Sequence, residues 1–445
     1  MRFVVAGGGV AGLASALALA RAGQDVVVLE RDAPDPAGPP QSAFAVDRRG
    51  IPHYFQPHAF LPRGRRLLAE WAPDVLDLLT EAGAAPQDLA EKLHGPREPG
   101  DEDLVYLWAR RPLIEWALRR VVAGEPSVEL RGGSRVDGLT EDGLVVADGN
   151  PVPGDVVVDA LGRYRRPPGW PEAGGEPTDC GAVYYCRYFR LEPGVDYLDA
   201  PVLNPRGDLG YLGFNTFRGD NRTLAVIVLA PAADRELRVL RYDAAWLAAC
   251  AAITPLNVMT APDFALPITD VMPMGGLRNV DRTRAAALIA VGDAFCHTDP
   301  AFAYGLSFAL VHAQALAQAA VEAPDALAEC YHANAGPESR ERHALACAMD
   351  ADRSARWRGE PVDPSRRDGS YPLFSFAGAL AAAPHDDVVL RRTLRRIGLL
   401  DRVAVFDDDP GLHARIERIL GELGPPPSPG PPRDELLARL AEVVG

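Results

Sequence analysis

The sequence predicts an α/β chain: a parallel-sheet domain, interrupted by an antiparallel-sheet domain and followed by a helical C-terminal region. Three observations carry this reading. The chain opens on strand, glycine turn, helix and strand; its character changes to alternating, aromatic-rich segments between about residues 175 and 275; and it then returns to a buried strand and a long Ala-rich helix. Its 445 residues allow two or three domains with cores of their own. The boundaries fall at 1–174 with 276–330 for the discontinuous domain, 175–275 for the inserted sheet domain and 331–445 for the helical region.

Each element has a local reason. Residues 2–6 and 26–29 are continuous apolar runs, the pattern of parallel strands buried on both faces, and 10–21 between them reads as a helix. The uncharged stretch 3–20 has the length of a membrane span and, after Met1-Arg2, imitates a signal peptide. Gly7, Gly8, Gly9 and Gly12 would weaken a membrane helix, however, and a strand-like segment follows, so no integral membrane span is expected. The Pro/Gly-rich stretch 32–40 is a loop, 67–82 is helical with Pro73 starting a new segment, and a helix spans 112–123. Short β segments fill 128–158. The inserted domain carries strands at 184–191, 210–217 and 223–229 and a short helix near 243–252. A buried strand at 285–291 precedes a helix over 306–323, and mostly helical chain runs from Pro324 to a proline-rich linker at 424–432. The last helix, 434–444, carries Leu436, Leu437, Leu440 and Val444 on one face and is expected to dock.

Composition narrows the partners. With 46 Lys+Arg against 61 Asp+Glu the net charge is −15, which repels phosphate backbones and anionic lipid, so nucleic acid is excluded as a partner. Lys92 is the only lysine. Six scattered cysteines without a C-x-x-C pair fit neither a disulfide framework nor a zinc site, which points to reduced thiols, a cytoplasmic protein and no metal.

The chemistry starts at Gly7-x-Gly9-x-x-Gly12, set between a strand and a helix, with Glu30 ending the next strand. The first glycine permits the tight turn, the second lets a pyrophosphate approach the backbone, and the third lets helix and strand pack closely. The helix start, Val10 and Ala11, offers free N–H groups to the anion, and Glu30 accepts from a ribose. The domain is therefore Rossmann-like and binds a dinucleotide. The motif alone does not separate NAD from FAD. Downstream, Gly292-Asp293 ends a buried strand, with Asp299-Pro300 and Gly305 before the long helix, and Asp159-Ala160-Leu161-Gly162 ends another strand. A nicotinamide domain needs no such distant elements, whereas FAD is long enough to use a second acid at its ribitol and a second helix N-terminus at its ring.

On the segments VVAGGGVAGLASALALARAGQDVVVLER, RRPLIEWALRR, DVVVDALG and VGDAFCHTDPAFAYGLSFAL, residues 1–325 resemble the single-component flavoprotein monooxygenases of the p-hydroxybenzoate hydroxylase fold. The resemblance implies FAD as cofactor. By it, Gly7, Gly9, Val10, Ala11, Gly12, Glu30 and Arg31 hold the ADP half, Val136 contacts adenine, and Arg111 reaches the pyrophosphate or ribityl region. Gly292 and Asp293 take the ribityl chain, and Pro300, Ala303, Gly305 and Leu306 shape the ring site. Asp159 and Gly162 belong to the third segment, and His58 and Arg63 lie in a stretch, 53–68, similar to one that covers the flavin. Phe302, Ala303 and Tyr304 depart from the family's glycine-rich pattern, and Ser307 stands where Asn is common.

Only one G-x-G-x-x-G occurs, so NAD(P)H is expected as a transient reductant, or reduced flavin comes from a partner reductase. The implied reaction is oxygen transfer from a flavin C4a-hydroperoxide, formed with O2, that hydroxylates or epoxidises a sizeable apolar or aromatic small molecule such as a polyketide-like intermediate. The substrate is expected between the flavin and the inserted sheet. Period-2 alternation sends Tyr185 and Arg187 to one face and Tyr184 and Tyr188 to the other, and sequence leaves open which face meets the flavin. Tyr185, Arg187, Tyr304 and His297 are the candidate catalytic side chains. A hydride-transferring reductase of the geranylgeranyl-reductase kind is the alternative. A halogenase is disfavoured, because the tryptophan-rich W-x-W-x-I-P segment is missing and Lys92 lies in a polar stretch. A non-enzymatic flavin binder is a further alternative, and the oligomeric state is open.

Overall fold

Strand β1 (Arg2–Ala6) lies at the centre of a five-stranded parallel sheet, and the order of that sheet records the interruption of the chain. The computed structural model describes residues 1–444 apart from 34, 36, 47, 49, 52, 141–144, 164–166, 172–173, 284–287, 361–377 and 425–426. Parts of the expected loop 32–40, strand 285–291, helical region and proline-rich linker lie outside the described residues. After β1 come helix α1 (Val10–Arg21), β2 (Asp25–Glu30), helix α2 (Arg111–Gly124), β3 (Val128–Gly132) and β4 (Val156–Asp159). The sheet order is Ile289–Ala290, β4, β1, β2, β3, so its last strand arrives from beyond a 129-residue excursion that starts at Ala160 and ends at Leu288. β1 is paired on both sides, Val5 with Val28 and Val158, which explains why it is apolar from Phe3 to Ala6.

The excursion builds a six-stranded sheet that pairs antiparallel throughout. Its central strand β5 (Ala182–Leu191) pairs along nine residues with β7 (Thr223–Pro231), which pairs on its other side with β6 (Gly213–Arg218). Alternation divides the residues cleanly. Tyr184, Cys186, Tyr188, Phe217, Ile227 and Leu229 face the core shared with the parallel-sheet side. Tyr185, Phe189, Phe214, Val226 and Val228 face a second core, closed by Trp246 of helix α3 (Asp243–Ala251) and by Leu436 and Leu440 of the terminal helix Arg433–Val444. The expected docking of that helix is thereby observed. Arg433 binds Asp234 at 2.8 Å and Glu236 at 2.7 Å, and Thr254 N–H donates to the linker carbonyl of Pro429 at 2.7 Å.

Helix α4 (Tyr304–Glu322) starts two residues earlier than sequence indicates and packs on α1, while helix α5 (Leu327–Trp357) crosses it. Tyr331 of α5 donates to the carbonyl of Ala290 at 2.6 Å and so ties the long helix to the edge of the parallel sheet. Among the described residues no helix is long and apolar enough to cross a membrane.

Candidate active site: a glycine cradle and two joined cavities

The three glycines of the first turn do three different jobs. Gly7 has φ of +110°, and a Cβ there would stand 2.5 Å from the carbonyl oxygen of Ala160. At Gly12 a Cβ would fall 1.8 Å from the carbonyl oxygen of Gly7, so α1 lies against the turn at a distance only glycine allows. Gly9 is different. A Cβ there meets nothing nearer than Arg111 Nη2 at 3.7 Å and Ile51 Cδ1 at 3.8 Å, so its face is open space beside a guanidinium. Gly9 also caps α1 without any side-chain partner, which leaves the first-turn N–H groups of Val10, Ala11 and Gly12 to an incoming anion.

Glu30 is buried and braced. Its Oε2 accepts from Gly8 N–H at 2.9 Å and from Arg48 Nη2 at 3.1 Å, and its Oε1 accepts from Asp32 N–H at 3.0 Å. Arg48 was not singled out by sequence reasoning, yet it also reaches Asp32 at 3.2 Å and Glu115 at 3.1 Å. Burial acts to lower its pKa, and the three carboxylates outweigh that and raise it. Arg31 lies at the outer rim with its guanidinium over Gly50. Ser134 N–H donates to the Glu30 carbonyl at 2.8 Å, and this contact draws the 132–136 turn, and Val136 with it, to the end of β2. Asp159 is occupied locally: Leu161 N–H donates to it at 3.0 Å and the Trp170 indole at 3.1 Å, which makes it a brace of the turn through Gly162 (φ +74°).

Arg111, His53 and Asp293 close the far side of the cradle. Arg111 Nε donates to Glu115 at 2.8 Å and its Nη1 to His53 Nε2 at 2.7 Å. The His53 proton therefore sits on Nδ1, a buried atom with no hydrogen-bond partner, and burial with the neighbouring Arg111 holds this ring well below its usual pKa. His53 was missed because its partner comes from 58 residues along the chain. His58 is near, 5.9 Å from His53 between ring centres, and is held neutral, its pKa lowered to about 3 by burial and Arg111. Asp293 stands 3.3 Å from His297 Nδ1. Burial works to raise the Asp293 pKa, but His297, with Arg111, outweighs it and keeps the carboxylate ionised. His297 Nε2 accepts from Arg163 at 3.4 Å, so this histidine positions Asp293 and does not reach into a cavity. The loop is anchored at Gly292, whose N–H donates to Nδ1 of the buried His312 at 3.0 Å. A Cβ on Gly292 (φ +59°) would lie 2.6 Å from that of Ala11, and one on Gly305 3.8 Å from Asp293 Oδ1. Arg63 is not brought here; it lines neither cavity and pairs with Glu338 at 2.5 Å.

Two cavities adjoin the cradle and share Asn215, Phe217 and Ala301 in their walls. The first lies between the segment His53–His58, Pro300 and the sheet residues Tyr184, Ile227 and Leu229. The second is lined by Ala303, Tyr304, Trp108, Arg206 and Arg396 among others. Ala303 adopts φ of +54°, a left-handed conformation for a residue with a Cβ, and the turn it makes carries Tyr304 into the wall at the start of α4. Leu306 is buried one turn above, and Ser307 accepts from Leu61 N–H at 3.0 Å.

Tyr185 and Arg187 are corrected as catalytic candidates. Both point to the second core, away from the cavities: Arg187 binds Asp243 at 2.8 Å and the carbonyl of Thr269 at 2.8 Å, and Trp246 donates to the Tyr185 carbonyl at 2.9 Å. Period 2 separated the faces correctly, and α3 decides which of them is the back. Tyr184 is the residue on the cavity side.

Residues 2–82 match the family described as FAD dependent oxidoreductase. PqsL, a probable FAD-dependent monooxygenase from Pseudomonas aeruginosa, superposes with a TM-score of 0.57 at 20% identity over 80% of this chain and 98% of its own. The flavin-dependent brominase Bmp2 gives 0.60 at 15% identity over 95% and 99%. A mutant of 2-methyl-3-hydroxypyridine-5-carboxylic acid oxygenase gives 0.55 at 19% over 83% and 96%. No curated protein matches by sequence. The chain shares the fold of these flavin-dependent enzymes, and its first 82 residues carry the match to the FAD dependent oxidoreductase family.

The cavity-side tyrosine is tied to a buried ionic cluster. The Tyr184 hydroxyl donates to Asp299, which also accepts from Ala301 N–H at 2.9 Å and from Arg353 at 2.9 Å. Arg353 bridges to Asp350 at 2.9 Å, and Asn279 links the two acids, donating to Asp350 at 2.7 Å and accepting from Asp299 N–H at 2.7 Å. Cys180, Asp299 and Asp350 have the spacing of metal ligands, but the Arg353 guanidinium already neutralises this place. Two carboxylates facing one cation leave one proton to hold: burial and the Asp299 charge push Asp350 up to about 8. A carboxyl raised in the folded state contributes stability that is present below its ordinary value of 3.8 and lost as pH rises through about 8. The Asp350→Asn protein is accordingly expected to gain several degrees of Tm relative to wild type as pH is taken from 5 to about 9. A Tm difference that stays flat across that range in differential scanning fluorimetry would contradict the shared proton.

Proposed function

We propose that this protein is an FAD-dependent monooxygenase that hydroxylates or epoxidises a sizeable, largely apolar or aromatic small molecule, a polyketide-like intermediate being the kind of compound that suits it. The reading rests above all on the two cavities, which share a wall at Asn215, Phe217 and Ala301 and lie between the His53–His58 segment and the apolar front of the inserted sheet.

The residues present fit FAD. The open face of Gly9, the free N–H groups of α1 and Arg111 would receive the pyrophosphate, Glu30 with Arg31 and Val136 the adenosine, and Asp293 the ribityl hydroxyls. The unpartnered His53 Nδ1–H is a donor waiting for a cofactor oxygen. Pro300, Ala303, Gly305 and Leu306 would border the ring, and the positive end of α4 would favour negative charge developing there. Bound FAD supplies the oxygen chemistry, activating O2 once reduced. The chain's own work is to orient the substrate between Tyr304, Phe217 and Leu229, to keep water out with that apolar lining, and to fix Tyr184 through Asp299. NAD(P)H visiting transiently, or reduced flavin passed on by a partner reductase, would supply the electrons, since one glycine fingerprint serves one dinucleotide.

A brominase shares the fold, so the position of Lys92 bears on the choice. Its Nζ is held by Asp199 at 2.7 Å and the Ala200 carbonyl at 2.5 Å, and it lines neither cavity. The test is isotopic. FAD-loaded protein is photoreduced without air and mixed with ¹⁸O2 and a panel of polycyclic phenols and alkenes. Mass spectrometry is expected to find one ¹⁸O in a product. Products gaining hydrogen but no ¹⁸O would transfer the protein to the hydride-donating reductases.

A further inference from the structure

One side chain on the wall shared by the two cavities offers a hydrogen-bond donor that the protein itself does not use. Asn215 lies in β6 on the same face as Phe217, two residues on, and directly opposite Ile227 of β7, so its side chain leaves the sheet on the cavity side. The orientation of its amide is fixed by groups that can only donate. Thr216 N–H donates to Asn215 Oδ1 at 2.9 Å, and Asn204 Nδ2 donates to the same oxygen at 2.9 Å. Asn204 is itself unambiguous, because its Oδ1 accepts from the Arg206 guanidinium at 3.3 Å. Both contacts claim the oxygen. The Asn215 amide nitrogen therefore projects away from them, and among the described residues no acceptor takes its N–H groups.

The first cavity surrounds that amide with uncharged groups. Among the described residues lining it there is no carboxylate, lysine or arginine, and burial with Arg111 keeps both of its histidines neutral. The donors near by are engaged: the Tyr184 hydroxyl with Asp299, His58 Nδ1–H with the Gln56 carbonyl at 2.7 Å, and Gln56 Nε2 with the Met272 carbonyl at 3.2 Å. The rest is apolar, with Phe217 and Ala301 on both cavities, Ile227 and Leu229 on the first and Leu203 and Trp108 on the second. An anion in the first cavity would meet no counter-charge from its walls, whereas a neutral carbonyl oxygen needs only the N–H that is present.

We propose that Asn215 is the polar anchor of the substrate, its amide donating to an uncharged carbonyl oxygen set within a fused-ring body. This deepens the monooxygenase reading and rests on it, since it takes the cavities as the substrate site. The class selected is a polycyclic ketone or quinone. The position of the carbonyl follows from that of the amide: Asn215 borders both cavities, so rings extend to either side of the oxygen, toward Leu229 in one and Trp108 in the other. A hydrocarbon of the same shape would bury the amide without a partner, and this is how the site tells the two apart. Asn204 acts through Asn215 as a positioning residue, holding the oxygen so that the nitrogen faces the ligand.

Fluorenone and fluorene, which differ only in a carbonyl in place of a methylene at the middle of three fused rings, test this on FAD-loaded protein. Each is titrated while the visible absorbance of bound FAD is followed, and the readout is the ratio of the fluorene Kd to the fluorenone Kd, in which their common apolar burial cancels. Two variants remove the donor differently. Asn215→Asp keeps an oxygen for Thr216 N–H and Asn204 and replaces only the amide nitrogen, while Asn215→Leu removes the donor without adding charge. In both, the ratio is expected to fall about fivefold or more from its wild-type value, the worth of one neutral hydrogen bond, with FAD content unchanged. An unchanged ratio in either variant overturns the anchor and leaves the monooxygenase reading standing. If Asn215→Leu does not fold, Asn215→Asp alone decides. If neither compound perturbs the flavin in wild type, the cavities are not the substrate site and both readings fall together.

Discussion

Replacing Gly9 by alanine is expected to leave the FAD-free protein folded and to strip it of cofactor. The substitution separates two properties that glycine motifs usually confound. Gly9 has φ of −78° and ψ of −174°, ordinary extended backbone for any residue, and its added methyl would find 3.7 Å of clearance. The unfolding free energy of the apoprotein should therefore move by no more than about 0.5 kcal/mol. The same methyl fills the space where a pyrophosphate must touch the backbone, so FAD retained through gel filtration should fall at least about tenfold. Gly12→Ala is the contrast: at 1.8 Å from the Gly7 carbonyl oxygen its methyl forces helix and strand apart, and both stability and FAD should be lost. A Gly9→Ala protein that purifies yellow, with wild-type FAD affinity, would refute the cradle.

The second large effect concerns how the inserted sheet is held. Asp220, fully buried, accepts from Arg110 three ways: from its backbone N–H at 2.8 Å, from Nη2 at 2.7 Å and from Nε at 3.0 Å. Arg110 caps α2 beside the cradle, while Asp220 turns the corner between β6 and β7, so this pair joins the two sheets. Arg110→Ala strands a buried carboxylate and is expected to cost about 3–5 kcal/mol in chemical denaturation. Burial acts to raise the Asp220 pKa, and Arg110 more than offsets it, so the net shift is downward. The contribution is therefore present above the unfolded carboxylate pKa of about 3.9 and lost as pH falls below it. The gap between wild type and variant should narrow in acid; a gap of under about 1 kcal/mol at neutral pH would mean that the joint is carried elsewhere.

The cradle was legible in sequence because its parts are local: three glycines within six residues and an acid at the end of the next strand. Asp293 was legible for the same reason, as a strand end followed by a helix start. Arg48 and His53 were not, since each earns its place by contacts with α2, about 60 residues away, and neither sits in a periodic pattern. The inserted sheet was readable as alternating strands, but its orientation depended on which side α3 and the terminal helix cover, a packing decision that no single strand encodes. Arg63 misled because its neighbours resemble a flavin-covering segment while its guanidinium is claimed by Glu338 of α5.

The central strand of that sheet has a consequence for redesign. Its even-numbered residues Tyr184, Cys186 and Tyr188 face the parallel-sheet side, where Tyr184 reaches a cavity wall, and its odd-numbered ones Tyr185 and Phe189 belong to the rear layer, with neighbours on both flanks fixing which is which. Cavity-wall positions such as Ile227 and Leu229 are thus open to combinatorial variation without disturbing the rear layer, whereas one inserted residue in β5 would exchange the two inventories and turn the salt-bridged Arg187 toward the parallel-sheet side.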